Sequence, residues 1–229
     1  ILSILFKRVD IPHDKLFKAF QVLYKNSLDT YLDELNSGLF YKKSFQILIS
    51  DQILIQAMKK IIFKDVKWEA LFKSIRGRLL LKETNKENTI NSNQLEFITA
   101  MAHQCFLNEY IYYLDIKEKK YLERRVENYK KNKIGGKDLS ILACYFPLYK
   151  LIKDIPSIKS FNSSNKELNE LIKLQIKEPL EEISLSHNIK SIGSINDNIS
   201  RKVKEQYEEN PYPRWTTENQ YKDVNYSKV

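Results

Sequence analysis

Apolar residues recur at helical spacing along most of the chain, and this pattern predicts an all-α protein. The first predicted helix spans residues 13 to about 26, and its apolar positions are Leu16, Phe17, Phe20, Leu23 and Tyr24. A second apolar run, over residues 41–63, contains no glycine or proline. Because it is far longer than a typical strand of about five or six residues, it predicts one long helix.

Polar residues ahead of later apolar stretches mark further helix starts. Asp65 is placed to cap a helix that runs to about residue 82. Asp115 and Ser164 each have a glutamate three residues later, which is the offset of a capping box. Pro179 falls inside the helical pattern that follows Ser164, and its missing N–H predicts a kink there.

The candidate for a central helix begins after Asn93, which has Glu96 three residues later. Its broad apolar face, assigned to the interior, consists of Leu95, Ile98, Ala102, Cys105, Phe106, Tyr110 and Tyr113. Only 5 glycines and 6 prolines occur in the chain, which favours packed helices over a turn-rich sandwich. The whole pattern predicts an irregular multi-helix bundle.

The last helical pattern lies near the end of the sequence and stops at two prolines. Ile199, Val203 and Tyr207 recur every four residues and form an apolar stripe, with opposite-charge pairs at i,i+4 beside it. The prolines at positions 211 and 213 prevent the helix from continuing. Residues 210–215, here called the strap, are therefore expected to form a stiff, Pro-rich extended segment.

The ten residues QYEENPYPRW, at positions 206–215, carry a family resemblance. They resemble the signature just ahead of the methyltransferase core in bacterial proteins that join tetratricopeptide repeats to an S-adenosylmethionine-dependent methyltransferase. Four further segments resemble the middle region of the same proteins, in the same order: residues 9–14, 102–110, 142–148 and 175–182. The resemblance covers nearly the whole chain.

This resemblance implies a non-catalytic helical domain that serves substrate or partner docking and leads into the catalytic core. It divides the chain into a helical accessory domain at residues 1–190 and a connecting helix with linker at residues 191–229. The implied partners are the protein's own downstream methyltransferase domain, its upstream repeats and a protein substrate. S-adenosylmethionine is the cofactor implied for the full-length protein, and none is expected for this segment alone.

The glycines indicate that the catalytic core lies outside this sequence. A class I methyltransferase needs a strand that runs into a glycine-rich turn, where the backbone can approach the cofactor closely. The one adjacent glycine pair, at positions 135–136, lies in a charged polar stretch with no β-run before it, so it predicts a turn between helices. The sequence also shows no repeat of about 34 residues with the tetratricopeptide pattern. A fragment of a longer protein is therefore expected, inactive alone and without catalytic residues.

Tyr207, Tyr212, Arg214 and Trp215 are candidate cofactor contacts. If the strap lies across the mouth of the adjoining cofactor pocket, aromatic rings can stack on adenine and the arginine can bind a carboxylate. The alternative is that the strap packs on its own domain and only connects it to the next.

The net charge of +9 supports a second hypothesis, a helical module that binds RNA or another polyanion. Residues 117–137 hold nine basic side chains against three acidic ones. On one helix, Lys120, Arg124 and Lys131 would project together as a phosphate-binding face, opposite an apolar face. The alternative is an ordinary solvated helix face.

Few residues suggest catalysis or metal binding. His103 and Cys105 lie two positions apart on a predicted helix, which turns their side chains about 200° away from each other, so they cannot share a metal ion. No metal site is expected. A third hypothesis places a hydrolase site around His103 and Glu109, and the alternative for an inward-facing Glu109 is a structural hydrogen bond between helices.

The sequence favours a cytoplasmic location and predicts no membrane partner. The apolar opening, residues 1–6, is too short for a signal-peptide core or a membrane span. Cys105 and Cys144 lack CxxC spacing and are expected to be reduced and packed, as suits a reducing compartment.

Overall fold

Helices make up all the regular structure in the described residues. The computed structural model describes residues 1–81, 92–188 and 197–209. Its α-helices are α1 (Leu2–Leu5), α2 (Phe17–Asn36), α3 (Phe45–Ile49), α4 (Gln52–Lys60), α5 (Val66–Leu81), α6 (Ser92–Leu107), α7 (Ile116–Tyr129), α8 (Gly136–Ala143), α9 (Leu148–Leu151), α10 (Lys166–Ile172), α11 (Glu178–Ser186) and α12 (Asn198–Glu209). Short 3₁₀ turns lie at His13–Leu16 and Pro156–Ile158, and a π turn spans Lys173–Lys177.

The all-α prediction is confirmed for this part of the chain. Buried apolar residues from Phe6 to Ile176 form one continuous core. We call the described residues between 1 and 188, which surround this core, the body. The glycine pair at positions 135–136 begins α8 and lies between two helices, as predicted. Every helix in the described ranges is too short or too polar to cross a bilayer. The strap and the predicted boundary near residue 190 lie outside those ranges.

A cluster of aromatic rings joins α2 to α5. The rings of Phe20 and Tyr24 stack at 4.4 Å on α2, and those of Trp68 and Phe72 lie 5.3 Å apart on α5. Phe63 bridges the two helices, with its ring 5.2 Å from Phe20 and 5.3 Å from Trp68. Ring pairs at these spacings contribute stability beyond their buried area.

The first helix is longer than predicted. α2 continues past residue 26 because Leu28 and Tyr31 extend its buried face and residues 27–36 contain neither glycine nor proline. Gly38 follows the helix in the left-handed conformation, at φ 73°. Glycine adopts this conformation readily just after a helix end.

The apolar run at residues 41–63 forms two helices, so the prediction of one long helix was wrong. Asp51 separates α3 from α4, because its Oδ1 accepts hydrogen bonds from the N–H groups of Ile53 at 2.9 Å and Leu54 at 3.1 Å. Its Oδ2 accepts from the Tyr24 hydroxyl at 2.6 Å. A cap that is also tied to α2 fixes a helix start within an apolar sequence.

The predicted caps of α5 and α7 are confirmed. Asp65 Oδ1 accepts from the N–H groups of Lys67 at 2.9 Å and Trp68 at 3.2 Å. At α7, Asp115 Oδ1 accepts from the Glu118 N–H at 2.8 Å, and Glu118 Oε2 accepts from the Asp115 N–H at 3.1 Å. These reciprocal bonds form a capping box.

α10 begins one residue later than predicted, with Asn165 rather than Ser164 as its cap. Asn165 Oδ1 accepts from the Leu168 N–H at 3.0 Å. The helical pattern is interrupted before Pro179, and the interruption takes the form of the π turn at Lys173–Lys177. Pro179 then lies in the first turn of α11, where a helix makes no use of the missing N–H.

α6 is central to the body, as predicted. It packs against α4, α8 and α10, and its residues Phe97, Ile98 and Ala102 are almost entirely buried. The helix ends before Tyr110 and Tyr113, which were predicted to continue its inward face, and Tyr113 is 70% exposed. This part of the prediction was wrong because a loop replaces the last helical turns.

Candidate functional site

The loop between α6 and α7, residues 108–115, has an unusual backbone. Glu109 and Tyr110 are consecutive residues in the left-handed region, at φ 57° and 58°. Residues other than glycine rarely adopt this conformation, and each costs about 1–3 kcal/mol that the surrounding structure must offset. The Tyr110 N–H donates to the Cys105 carbonyl at 2.8 Å, which closes the end of α6.

Arg76, on α5, holds this loop from the interior. Only 2% of the residue is exposed. Its Nη2 donates to the carbonyl oxygens of Tyr112 at 3.2 Å and Tyr113 at 3.0 Å. Its guanidinium carbon also lies 4.3 Å from the centroid of the Tyr145 ring, a cation–π contact. One buried cation thus binds two loop carbonyls and an aromatic ring of the core.

Glu118 binds the same tyrosine through its hydroxyl. The carboxylate belongs to a residue that is 1% exposed, and its Oε1 accepts a 2.9 Å hydrogen bond from the Tyr145 hydroxyl. Burial raises the pKa of Tyr145, so the hydroxyl stays protonated and donates. We call Arg76, Tyr145 and Glu118 the Arg76 clamp.

Gly77 makes room for the clamp. A Cβ atom at this position would lie 2.9 Å from Glu118 Oε1, too close for a nonbonded contact. In a helix interior, glycine costs about 1 kcal/mol relative to alanine. The glycine in α5 is therefore explained by the close approach of the carboxylate.

The clamp presents apolar side chains to solvent. The exposed residues, which we call the apolar loop surface, are Ile111 (68%), Tyr113 (70%), Leu114 (38%) and Ile116 (74%). Lys73 lies beside them, with Nζ 5.8 Å from the centroid of the Tyr113 ring and 3.6 Å from Asp115 Oδ2. These side chains offer contacts rather than reactive groups. Sequence reasoning missed this surface because it continued α6 through Tyr113.

The predicted polyanion face is only partly assembled. Lys120 and Arg124 lie one turn apart on the exposed side of α7, but the helix ends two residues before Lys131. The prediction that all three share one helix face was therefore wrong. Some of the nearby charge is also used within the body, since Arg125 Nη1 donates to Asp138 Oδ1 at 2.6 Å.

His103 is a poor candidate for a catalytic base. It is buried in α6, and its Nε2 has no hydrogen-bond partner in the structure as described. Burial, with the charges of Lys59 and Lys60, lowers the pKa of His103 to about 3. An imidazole with such a pKa is a weak base at neutral pH, which argues against the hydrolase hypothesis around His103 and Glu109. Within residues 1–81, 92–188 and 197–209, no cluster of three His, Cys, Asp or Glu side chains could hold a metal ion.

The buried imidazole makes stability depend on pH. The pKa of His103 is about 3 in the folded protein, against an ordinary value near 6.5 when unfolded. Because unfolding then takes up a proton, the free energy of unfolding should fall as the pH drops below about 6.5, by roughly 2–3 kcal/mol at pH 4.5 from this group alone. Urea unfolding of the wild type and of His103→Leu, each at about pH 6.5 and about pH 4.5, measures the effect. An equal pH dependence in the two proteins would contradict it.

α12 carries the predicted apolar stripe, and the stripe faces solvent. Ile199, Val203 and Tyr207 are 76%, 45% and 65% exposed. All the other side chains from residue 197 to 208 are exposed as well. Asp197 caps the helix, with its carboxylate accepting from backbone N–H groups in the first turn. Within the described residues, the helix therefore forms with its apolar face exposed to solvent.

Of the candidate cofactor contacts, Tyr207 lies within the described residues, and Tyr212, Arg214 and Trp215 lie outside them. Tyr207 is on the apolar stripe of α12, two residues before the helix ends at Glu209. The suggestion that these four side chains bind a cofactor stays a prediction.

Three of the sequence segments singled out above, residues 102–110, 142–148 and 175–182, meet at Gln175. This residue of the π turn is fully buried. Its Nε2 donates to the carbonyl oxygens of Ala102 at 3.1 Å and Ala143 at 3.3 Å. Its Oε1 accepts from the Leu148 N–H and from the Tyr110 hydroxyl, each at 3.4 Å. One amide therefore joins α6, α8, α9 and the loop after α6.

No protein-family model, curated protein or solved structure matches this chain.

Proposed function

We propose that residues 1–188 form a non-catalytic helical docking domain of an S-adenosylmethionine-dependent methyltransferase, and that α12 leads from it into the catalytic core. The observation that carries the proposal is the exposed stripe of Ile199, Val203 and Tyr207. A helix of twelve residues is marginal by itself, and an amphipathic helix gains stability when its apolar face is covered. The QYEENPYPRW sequence overlaps the end of this helix.

The residues of the body support a docking role rather than a catalytic one. Three of its buried polar side chains, Arg76, Glu118 and Gln175, hold helices and loops together. Its exposed features are apolar and basic side chains that can bind a protein partner. Substrate positioning is a major source of rate enhancement in group transfer, so a docking domain can contribute without a reactive group.

S-adenosylmethionine would bind in the downstream core. Tyr207, Tyr212, Arg214 and Trp215 would contribute from the strap side, with aromatic rings against adenine and the guanidinium against the carboxylate of the cofactor. The chemistry the cofactor supplies is methyl transfer. The residues of this chain would orient and enclose it.

Calorimetric titration of S-adenosylmethionine tests the proposal. We expect no binding heat from this chain and a saturable signal from a version extended downstream by about 150 residues, roughly one further domain. Saturable binding by this chain alone would mean that the cofactor site is misplaced. Silence from both proteins would overturn the methyltransferase assignment.

Two matched variants of α12 test its linking role. Val203→Ser with Tyr207→Ser removes most of the stripe, and Arg201→Ser with Glu205→Ser changes the opposite side without altering net charge. The stripe variant should lower the thermal midpoint of the extended version and leave this chain unchanged, because here the stripe faces solvent. The opposite-side variant should leave the thermal midpoints of both the extended version and this chain unchanged. Equal effects of both variants in the extended version would show that the stripe is not an interdomain contact.

Polyanion binding is the second candidate function. It is favoured by the exposed cations on α7, which are Lys117, Lys119, Lys120 and Arg124. Of the two intervening glutamates, Glu118 is buried in the clamp and only Glu123 offsets them at the surface. A polyanion complex should weaken steeply as salt rises, whereas a docking contact made by apolar residues should change little. Polyuridylate binding measured at low and at high salt distinguishes the two.

A further inference from the structure

The apolar loop surface is next to a group of lysines. Ile116 is the first residue of α7, so Lys119 and Lys120 are its neighbours at i+3 and i+4 on the exposed side of the helix. Lys73, on α5, lies against the Tyr113 ring on the other side of the loop. Apolar and cationic side chains are therefore exposed next to each other along the loop and the start of α7.

Acidic side chains compensate only part of this charge. Glu118 is turned into the body, where its carboxylate binds the Tyr145 hydroxyl. The Asp115 carboxylate caps α7 and lies 3.6 Å from Lys73, so it neutralises one of the three lysines.

Glu123 is exposed one turn after Lys119 and Lys120, but neither lysine forms an ion pair within the described residues. Lys117 and Arg124 add two further exposed cations on the same helix, so the positive charge stays in excess. An anionic partner would complement the remaining positive charge of this surface.

We infer that the apolar loop surface docks on an anionic lipid membrane. Aliphatic side chains such as Ile111 and Leu114 gain by entering the acyl region, while tyrosine and lysine are suited to the headgroup level. A nucleic acid would satisfy the lysines but would leave the aliphatic side chains in water. A second copy of this chain would bring like charges together. The inference is independent of the proposed methyltransferase role.

The clamp prepares the surface for docking. Arg76 fixes the carbonyls of Tyr112 and Tyr113, and the Tyr112 side chain is buried between exposed neighbours. A loop that is already held in its binding conformation loses less conformational entropy when it docks. The sequence predicted no membrane partner because it contains no span. Docking on a membrane surface requires none.

Vesicle flotation with the chain of residues 1–229 tests this inference. The probes are vesicles of equal parts phosphatidylglycerol and phosphatidylcholine, and vesicles of phosphatidylcholine alone. We expect binding to the first, weaker binding to the second, and loss of the difference at high salt. Ile111→Asn with Leu114→Asn should reduce binding roughly tenfold for each aliphatic side chain removed. Lys119→Gln with Lys120→Gln should abolish the preference for anionic vesicles.

A matched control comes from α2, where Val22 and Leu23 are 79% and 53% exposed. Val22→Asn with Leu23→Asn should bind vesicles like the wild type. Absence of wild-type binding to the anionic vesicles would overturn the inference, as would a loop variant that binds them normally. Salt-sensitive binding to polyuridylate that the loop variant retains, without vesicle binding, would assign the lysines to a nucleic acid. A wild-type dimer that the loop variant dissociates would assign the surface to a second copy.

Discussion

Replacing Arg76 with methionine is expected to lower the free energy of unfolding by about 3–5 kcal/mol, because each hydrogen bond from a charged group contributes about 1.5–3 kcal/mol and a desolvated cation–π contact about 2 kcal/mol. The carbonyls of Tyr112 and Tyr113 would lose their donor, and the Tyr145 ring its cation. The Glu118 carboxylate would keep its hydrogen bonds to the Tyr145 hydroxyl and the Asp115 N–H. Urea unfolding at pH 7, followed by circular dichroism, measures the loss.

Arg78→Met is the matched control, because it makes the same change two residues further along α5. Arg78 is exposed, and its guanidinium carbon lies 4.0 Å from the centroid of the Tyr41 ring. An exposed cation–π contact contributes about 0.5–1 kcal/mol, so this variant should lose no more than that. A similar, small loss in both variants would contradict the clamp as the anchor of the loop.

Helix starts were predictable because capping is local. Asp65 and Asp115 lie within three residues of the N–H groups that they bind, so their roles can be deduced from sequence spacing. Asp51 uses the same chemistry and was overlooked, since the apolar residues on both sides suggested one uninterrupted helix. Its bond to Tyr24, from another helix, could not be deduced from spacing.

The end of α6 could not be predicted from periodicity, because the apolar pattern continues at helical spacing to Tyr113. The loop is fixed by Arg76, which is 36 residues from Tyr112 in the sequence. One local signal was available. The capping box at Asp115 starts α7 at Ile116, and a helix that reached Tyr113 would leave no room for a loop.

The candidate sites were predictable to different degrees. The stripe on α12 follows from the spacing of Ile199, Val203 and Tyr207, but periodicity does not reveal whether a stripe is covered. The prediction that Lys120 and Lys131 share one helix face was wrong because it required α7 to continue beyond Tyr129. The apolar loop surface depends on a buried arginine from another helix, so it is a property of the tertiary structure.

Replacing Gln175 with leucine is expected to cost about 3–5 kcal/mol, because several buried polar groups would lose their partners at once and each contributes about 1–3 kcal/mol. The reason lies in Pro147. The Ala143 carbonyl, at the end of α8, would bind the N–H of residue 147 if the helix continued, and proline has none. Gln175 Nε2 supplies the missing donor at 3.3 Å.

The same amide completes the next helix. Leu148 is the first residue of α9, and its N–H has no acceptor within that helix. Gln175 Oε1 accepts it at 3.4 Å. The break that Pro147 introduces between α8 and α9 is therefore bridged on both sides by one side chain from the π turn. Leucine fills a similar volume, so the variant isolates the hydrogen bonds from the packing.

Gln52→Leu provides the comparison, because Gln52 is an exposed helical glutamine whose Nε2 donates to Glu96 at 3.0 Å. Its loss should stay within about 0.5 kcal/mol, as is usual for surface substitutions. Urea unfolding of the two variants beside the wild type separates buried from exposed amides. If Gln175→Leu lost no more than Gln52→Leu, water would have to reach the Ala143 carbonyl, and the junction of α6, α8 and α9 would be held by apolar packing alone.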